Sequence, residues 1–217
     1  MKRFLLSILL TLSLLASSCT ASNLKPTQHA AAHQIMVTGK SGRALCSAVA
    51  IAPHVLLTAE HCDDKDASFV VDGEQNPQAV SKKLYDNQDH MLLVMPNANF
   101  VSVIQYEPTT YLKGNQGEHI YFWGNPAVDY ARLQDQYREG YVTGICQKQY
   151  TKEEDGINAS GYFFIIAVVG GRGDSGAAVF SEDGRFVGIV SYGLAKGAML
   201  GIFPMAFTPE QVAEAEK

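Results

Sequence analysis

The 217-residue chain has no dense run of basic residues: 17 Lys and Arg stand against 22 Asp and Glu, a net charge of −5. Phosphate binding needs a clustered excess of Lys and Arg, so this balance argues against a nucleic-acid partner. A long hydrophobic span is also missing. The apolar run Phe4–Leu15 falls short of the ~20 residues a membrane helix needs. Cysteine is sparse at four, and His29, His33, His54, His61, His90 and His119 form no ligand pattern with the unpaired one. No metal or other cofactor is implied. Internal repeats are absent and helical periodicity is scarce.

What remains is ordinary globular composition, with 47% hydrophobic, 10% aromatic and 18% charged residues. Lys2 and Arg3 precede the apolar run, and the small residues Ala16-Ser17-Ser18 and Cys19 follow it. This is the layout of an export signal, read here as residues 1–18. Leu15-Ala16-Ser17-Ser18-Cys19 also resembles a bacterial lipobox, in which the freed cysteine is lipidated, although Ala16 departs from the usual leucine. Plain secretion, with Cys19 incidental, is the alternative. Losing the two basic residues of Met1–Ser18 leaves 15 Lys and Arg against 22 Asp and Glu, a net charge of −7. Such a surface does not attract anionic lipid, so any membrane hold rests on a lipid at Cys19. An oxidising destination allows Cys46 and Cys62 to pair, while Cys146 reads as a buried thiol without a partner. Residues 19–33, polar and alanine-rich, read as a tether.

From Gln34 onward short apolar runs alternate with turn residues. The first set is expected at Ile35–Thr38, Leu45–Ala52, Val55–Ala59, Phe69–Val71, Ala79–Leu84 and Met91–Met95. Pro96–Gly117 reads as a connector. The second set is expected at Ile120–Trp123, Gly140–Cys146, Tyr162–Val169, Ala177–Phe180, Phe186–Tyr192 and Met199–Phe203. This punctuation argues an all-β barrel or sandwich. The one clear helical signal is Pro209–Lys217, with Thr208 as its candidate cap.

Two segments carry chemistry. Gly170-Gly171-Arg172-Gly173-Asp174-Ser175-Gly176 offers a serine hydroxyl beside closely spaced backbone amides, and Thr58-Ala59-Glu60-His61-Cys62 offers a base. Serine is a poor nucleophile at neutral pH without such a base, so each segment gives the other its meaning. Thr58–Cys62 resembles the histidine motif of the chymotrypsin/trypsin-like serine proteases, and Gly173–Gly176 resembles their nucleophile motif. Asp89-His90-Met91-Leu92-Leu93 is similar to their aspartate segment, and the chain order His, Asp, Ser is theirs too. The Cys46–Cys62 spacing matches the family's disulfide, and Ser191-Tyr192-Gly193 its substrate-backbone strand. Asp86 and Asp72 also lie between the histidine and the serine and stay open as alternatives to Asp89.

The resemblance implies two six-stranded antiparallel β-barrels, about residues 34–100 and 115–205, in a peptidase domain over 34–217 that ends in a short helix. It implies Ser175 as nucleophile, His61 as base, Asp89 as orienting acid, and the Gly173 and Ser175 amides as the oxyanion site. The expected activity is peptide-bond hydrolysis by an exported or lipid-anchored endopeptidase. A non-catalytic binding module on the same fold and a serine esterase are the rivals.

The sequence also departs from the family. Glu60 stands where alanine is usual, and its plain reading is a solvent-facing carboxylate. No basic residue precedes an Ile-Val-Gly-Gly-like start at Ile35, so Asp174 must find a partner other than a new N-terminus. Val169 occupies the position where trypsin-like members carry aspartate, and Val190 that of a histidine in glutamate-preferring members. With Gly193 and Gly201 leaving room, this implies an uncharged pocket and an apolar P1 residue.

Overall fold

The computed structural model describes residues 24–64, 66–86, 88–106, 116–128, 131–132, 135–150, 159–194, 199–204 and 207–217. Residues 1–18, read from sequence as an export signal, and Cys19 lie outside these residues, as does the side chain of Cys146.

Residues 24–33 do not form a tether. They fold into helix α1 (Leu24–Ala30) and the start of strand β1 (Ala32–Gly39). Gln28 and Ala31 are buried there, which composition could not show. The first sheet continues with β2 (Gly42–Ala52), β3 (Val55–Ala59), a 3-10 turn (Glu60–Cys62), β4 (Ser68–Val71), β5 (Lys82–Tyr85) and β6 (His90–Val94). Pro53-His54 makes the turn between β2 and β3, where Pro cannot continue a ladder. The strand expected at Ala79–Leu84 starts later, at Lys82. All neighbours are antiparallel in the order β4-β1-β2-β3-β6-β5. This sheet is barrel-like: its named ladders leave β4 and β5 as edges, and an isolated bridge pairs Phe69 of β4 with Gln78 in the segment before β5.

The second half holds β7 (His119–Gly124), a small β8–β9 ladder (Ala127–Val128 with Ala131–Arg132), β10 (Gln136–Tyr150), β11 (Ala159–Ala167), β12 (Ala178–Ser181), β13 (Phe186–Leu194) and β14 (Met199–Phe203). Six of these strands close a true barrel, β10-β11-β14-β13-β12-β7. The long β10 makes closure possible. Its first residues, Gln136–Tyr141, pair with β7, and Tyr141–Tyr150 pair with β11. The two six-stranded, all-β units expected from the sequence are therefore present.

Strand alternation explains the cores. In β7, Ile120 and Phe122 enter the barrel interior with Val142, Phe164, Ile166, Val179, Val190, Leu200 and Ile202. Tyr121 and Trp123 point to the other face and join a continuous cluster with Phe180, Phe186 and the first sheet. Each fully buried side chain of this size contributes roughly 1.5–3 kcal/mol of transfer free energy. The core therefore runs across the junction.

Two terminal elements strap that junction. Helix α1 leads into the first sheet yet docks on the second barrel. Gln28 Nε2 donates to the Gly184 carbonyl (2.8 Å), the Tyr121 hydroxyl donates to Gln28 Oε1 (2.6 Å), and His29 stacks on Trp123. Helix α2 (Pro209–Ala215) follows the second barrel yet buries Val212 and Ala215 in the first sheet's cluster. Thr208 caps α2 as expected, in a reciprocal box with Gln211.

Candidate active site

His61 sits in the 3-10 turn that ends β3, and the Cys46–Cys62 disulfide ties that turn to β2. Asp89 precedes β6 in a left-handed conformation (φ +60°), which is uncommon outside glycine. Its carbonyl accepts the Glu60 amide (2.9 Å), and Oδ1 accepts the His61 amide (3.0 Å). Oδ2 faces His61 Nδ1 at 2.8 Å, and His61 Nε2 faces Ser175 Oγ at 2.9 Å. A carboxylate only accepts, so Nδ1 carries the ring proton and the Nε2 lone pair is turned to the serine hydroxyl. Asp89 is fully buried, while the His61 side chain is 23% exposed. Among the described residues Asp86 makes no hydrogen bond to His61; it binds His90 instead (2.7 Å).

Ser175 is seated by contacts across the junction. Its carbonyl accepts the Ser47 amide from β2 (2.7 Å), and Ser47 Oγ donates to the Gly173 carbonyl (2.8 Å). Thr58 Oγ1 donates to the Ser47 carbonyl, and Asn125 donates to Ser47 Oγ. Gly176 (φ +87°) passes so close that a Cβ would lie 2.0 Å from the Ser47 carbonyl oxygen and 2.4 Å from Thr58 Oγ1. Ser47 was not singled out in the sequence. A lone serine in an apolar strand carries no signal there.

Gly173 (φ +101°) directs its carbonyl into this network. Among the described residues neither the Gly173 nor the Ser175 amide donates to a protein acceptor. Between them the Asp174 side chain turns inward and is 1% exposed. Its Oδ2 accepts Arg138 Nη1 (2.5 Å) and the Gly171 amide (2.7 Å), while Oδ1 has no partner among the described residues. Burial pushes the Asp174 carboxyl above its ordinary range, with Arg138 and the Gly171 amide pulling the other way. Arg138 also donates to the Val169 carbonyl (2.8 Å), and its guanidinium lies 5.8 Å from the centre of the Phe122 ring. The partner that Asp174 required is thus Arg138 on β10, a residue unremarkable in sequence.

The expected substrate-facing positions fare unevenly. Ser191 is buried and Gly193 is exposed, and Gly193 pairs with Leu200 across β13 and β14. Val169 is 74% exposed rather than enclosed. Gly201 leaves no room: the Tyr192 ring occupies the place of its side chain, 2.2 Å from an ideal Cβ. Tyr192 packs there because Gly201 is its cross-strand partner. Leu200, on the opposite face of β14, lies against Gly170, 2.3 Å from where a Cβ would stand. Glu60 is buried, not solvent-facing.

A family model described as Trypsin matches residues 22–214. No curated protein matches the chain by sequence. The active form of the Rv3671c protease from M. tuberculosis superposes with a TM-score of 0.66 at 14% identity, covering 89% of this chain and 82% of that one. The HtrA-type protease AlgW with a tripeptide gives 0.67 at 17% identity, over 91% and 64% of the two chains. A serine endoprotease from Yersinia pestis gives 0.60 at 17% identity, over 91% and 66%. At these identities the likeness is one of fold.

Proposed function

The chain belongs to the trypsin family of serine proteases, and from that premise we propose that it is an endopeptidase acting through Ser175, His61 and Asp89. The observation that carries the reading is the unbroken line from the Asp89 carboxylate to Nδ1 (2.8 Å) and from Nε2 to Ser175 Oγ (2.9 Å). Ser175 Oγ attacks the substrate carbonyl carbon as His61 Nε2 takes the hydroxyl proton. Asp89 holds the productive tautomer and stabilises the imidazolium. The Gly173 and Ser175 amides, without acceptors among the described residues, receive the developing oxyanion, each worth ~3–4 kcal/mol in comparable sites. His61 then protonates the leaving amine, and water resolves the acyl-enzyme by the same steps in reverse. A fluorophosphonate probe should label the wild-type chain and not Ser175→Ala. Equal labelling of both, or of neither, overturns the reading.

The P1 residue in this proposal is apolar, because Val169 and Val190 stand where charge-selecting members of the family carry aspartate or histidine. Peptide-library profiling should give cleavage after apolar residues. Preference for Lys, Arg or Glu sinks this part of the reading.

We also place the protein outside the cytoplasm, held by a lipid on Cys19. The signal-like start and lipobox support this, as does the Cys46–Cys62 disulfide. Because α1 begins at Leu24, the four residues after Cys19 would keep the domain within roughly 20 Å of the bilayer at ~3.5 Å per residue. Detergent-phase partitioning that survives Cys19→Ala refutes the anchor.

A further inference from the structure

A second acid–imidazole pair lies beside the first. His90 follows Asp89 directly, at the start of β6, and its side chain is 0% exposed. Its Nδ1 faces Asp86 Oδ2 at 2.7 Å, and its Nε2 faces the Phe203 carbonyl oxygen at 3.1 Å. Carboxylate and carbonyl oxygens only accept, so each ring nitrogen stands where it can donate. The other Asp86 oxygen, Oδ1, accepts the amides of Gln88 (2.8 Å) and His90 (3.0 Å), one on each side of Asp89. The Asp86 amide in turn donates to the His90 carbonyl (3.3 Å).

Resting on the proposed function, we infer that Asp86 and His90 are positioning residues: they hold Asp89 in its left-handed geometry and lock it to the barrel that carries Ser175. Each half of the inference has its own contacts. A non-glycine residue at φ +60° persists only where its surroundings over-determine it. Here the flanking amides share one carboxylate oxygen, and the Asp89 carbonyl is fixed by the Glu60 amide. The link to Phe203 reaches β14, which pairs with β13 at Ile189. The next residue of β13, Val190, accepts the Gly176 amide (2.7 Å) and donates to the Ala177 carbonyl (2.9 Å). One chain of contacts therefore runs from Asp86 through His90, β14 and β13 to the residues directly after Ser175. Asp89 and Ser175 belong to different sheets, and His61 spans them only if their separation is held. Misplacing a reacting group by about 1 Å can cost roughly a hundredfold.

The test uses the full chain, with His90→Gln and Asp86→Asn. Asp86→Asn keeps an oxygen for the two amides while removing the acid, so it disturbs the fold less. Thermal melting first establishes that each variant is folded at the assay temperature. Fluorophosphonate inactivation then separates the maximal rate of labelling from the concentration giving half that rate. The expected result is a fall of about tenfold or more in the maximal rate, with half-saturation within about twofold of wild type. Histidine-labelled NMR gives a readout that loss of stability alone would not move. Wild type should show His90 as a slowly exchanging ring with both nitrogens protonated, and the His61 Nδ1–H resonance should shift in both variants. Folded variants that label at wild-type rate with an unmoved His61 resonance overturn the inference. If neither variant folds, a wild-type spectrum with His90 protonated on one nitrogen overturns it. Failure of wild type to label is a different failure, that of the proposed function, and leaves the His90 spectrum readable.

Discussion

Replacing Arg138 by methionine keeps most of the side chain's bulk and removes its charge. Asp174 would then be left 1% exposed, with the Gly171 amide as its remaining donor among the described residues. Removing one partner of a buried pair costs about 3–5 kcal/mol, because the other charge stays desolvated. At roughly 2–4 °C per kcal/mol for a chain of this length, melting should fall by roughly 6–20 °C. The loss should depend on pH in a definite direction. Burial already raises the Asp174 carboxyl above its ordinary 3.8, and Arg138 is the largest influence against that rise. A raised acid holds its proton more tightly folded than unfolded. Its protonation therefore supports the fold below 3.8, and that support is lost as pH climbs through the raised value. Without Arg138 the carboxyl rises further, so the deficit against wild type should shrink in acid. Denaturant titrations of both proteins at about pH 8 and about pH 5 read this difference. Activity should fall as well, because Asp174 lies between the two amides proposed to bind the oxyanion. Losing one such donor costs about a hundredfold or more, read as fluorophosphonate labelling rate. A variant within about 1 kcal/mol of wild type at both pH values, labelling at the same rate, refutes the reasoning.

Four further variants test the frame. Cys46→Ala with Cys62→Ala opens a loop of 16 residues and should cost ~3 kcal/mol in urea titration, making stability insensitive to reductant. Gly176→Ala places a Cβ against Ser47 and Thr58 at positive φ and should abolish labelling. Gly42→Ala, also at positive φ but with open space around it, should cost only about 1 kcal/mol and leave labelling intact. Gln28→Ala removes partners from the Tyr121 hydroxyl and the Gly184 carbonyl, and should lower stability in denaturant by about 1–3 kcal/mol without changing labelling rate.

The contrast between Ser175 and Ser47 explains what could be read from sequence. Ser175 is flanked by glycines whose positive φ leaves a pattern in the chain, and His61 is flanked by a cysteine with a partner 16 residues away. Such local constraints survive in one dimension. Asp89 carries a weaker mark, a strand beginning directly after it, and Asp86 stays a rival because it lies only three positions away in the same loop. Ser47, Arg138 and Phe203 act through contacts that lie far along the chain from the residues they support. Residues 24–33 resemble a tether in sequence for the same reason: their burial depends on Tyr121 and Trp123, nearly a hundred positions away. Gly201 failed differently. A glycine shows that a Cβ is missing but not what fills the space, and here Tyr192 does.

These long-range contacts share a location, and that has a consequence for how the protein should fail. His61 and Asp89 belong to the first sheet and Ser175 to the second barrel, so neither half holds the site alone. The Ser47 amide and hydroxyl, the His90–Phe203 link, α1 and α2 all cross the same junction. The first two lie next to the reacting atoms, whereas α1 grips the Tyr121 and Trp123 face of β7. Weakening α1 should therefore lower global stability before it lowers the labelling rate of the molecules still folded. Weakening His90 or Asp86 should lower the labelling rate of the molecules still folded as well as global stability. Stability and reactivity separate along this junction because its contacts differ in distance from Ser175, not because they are made of different interactions.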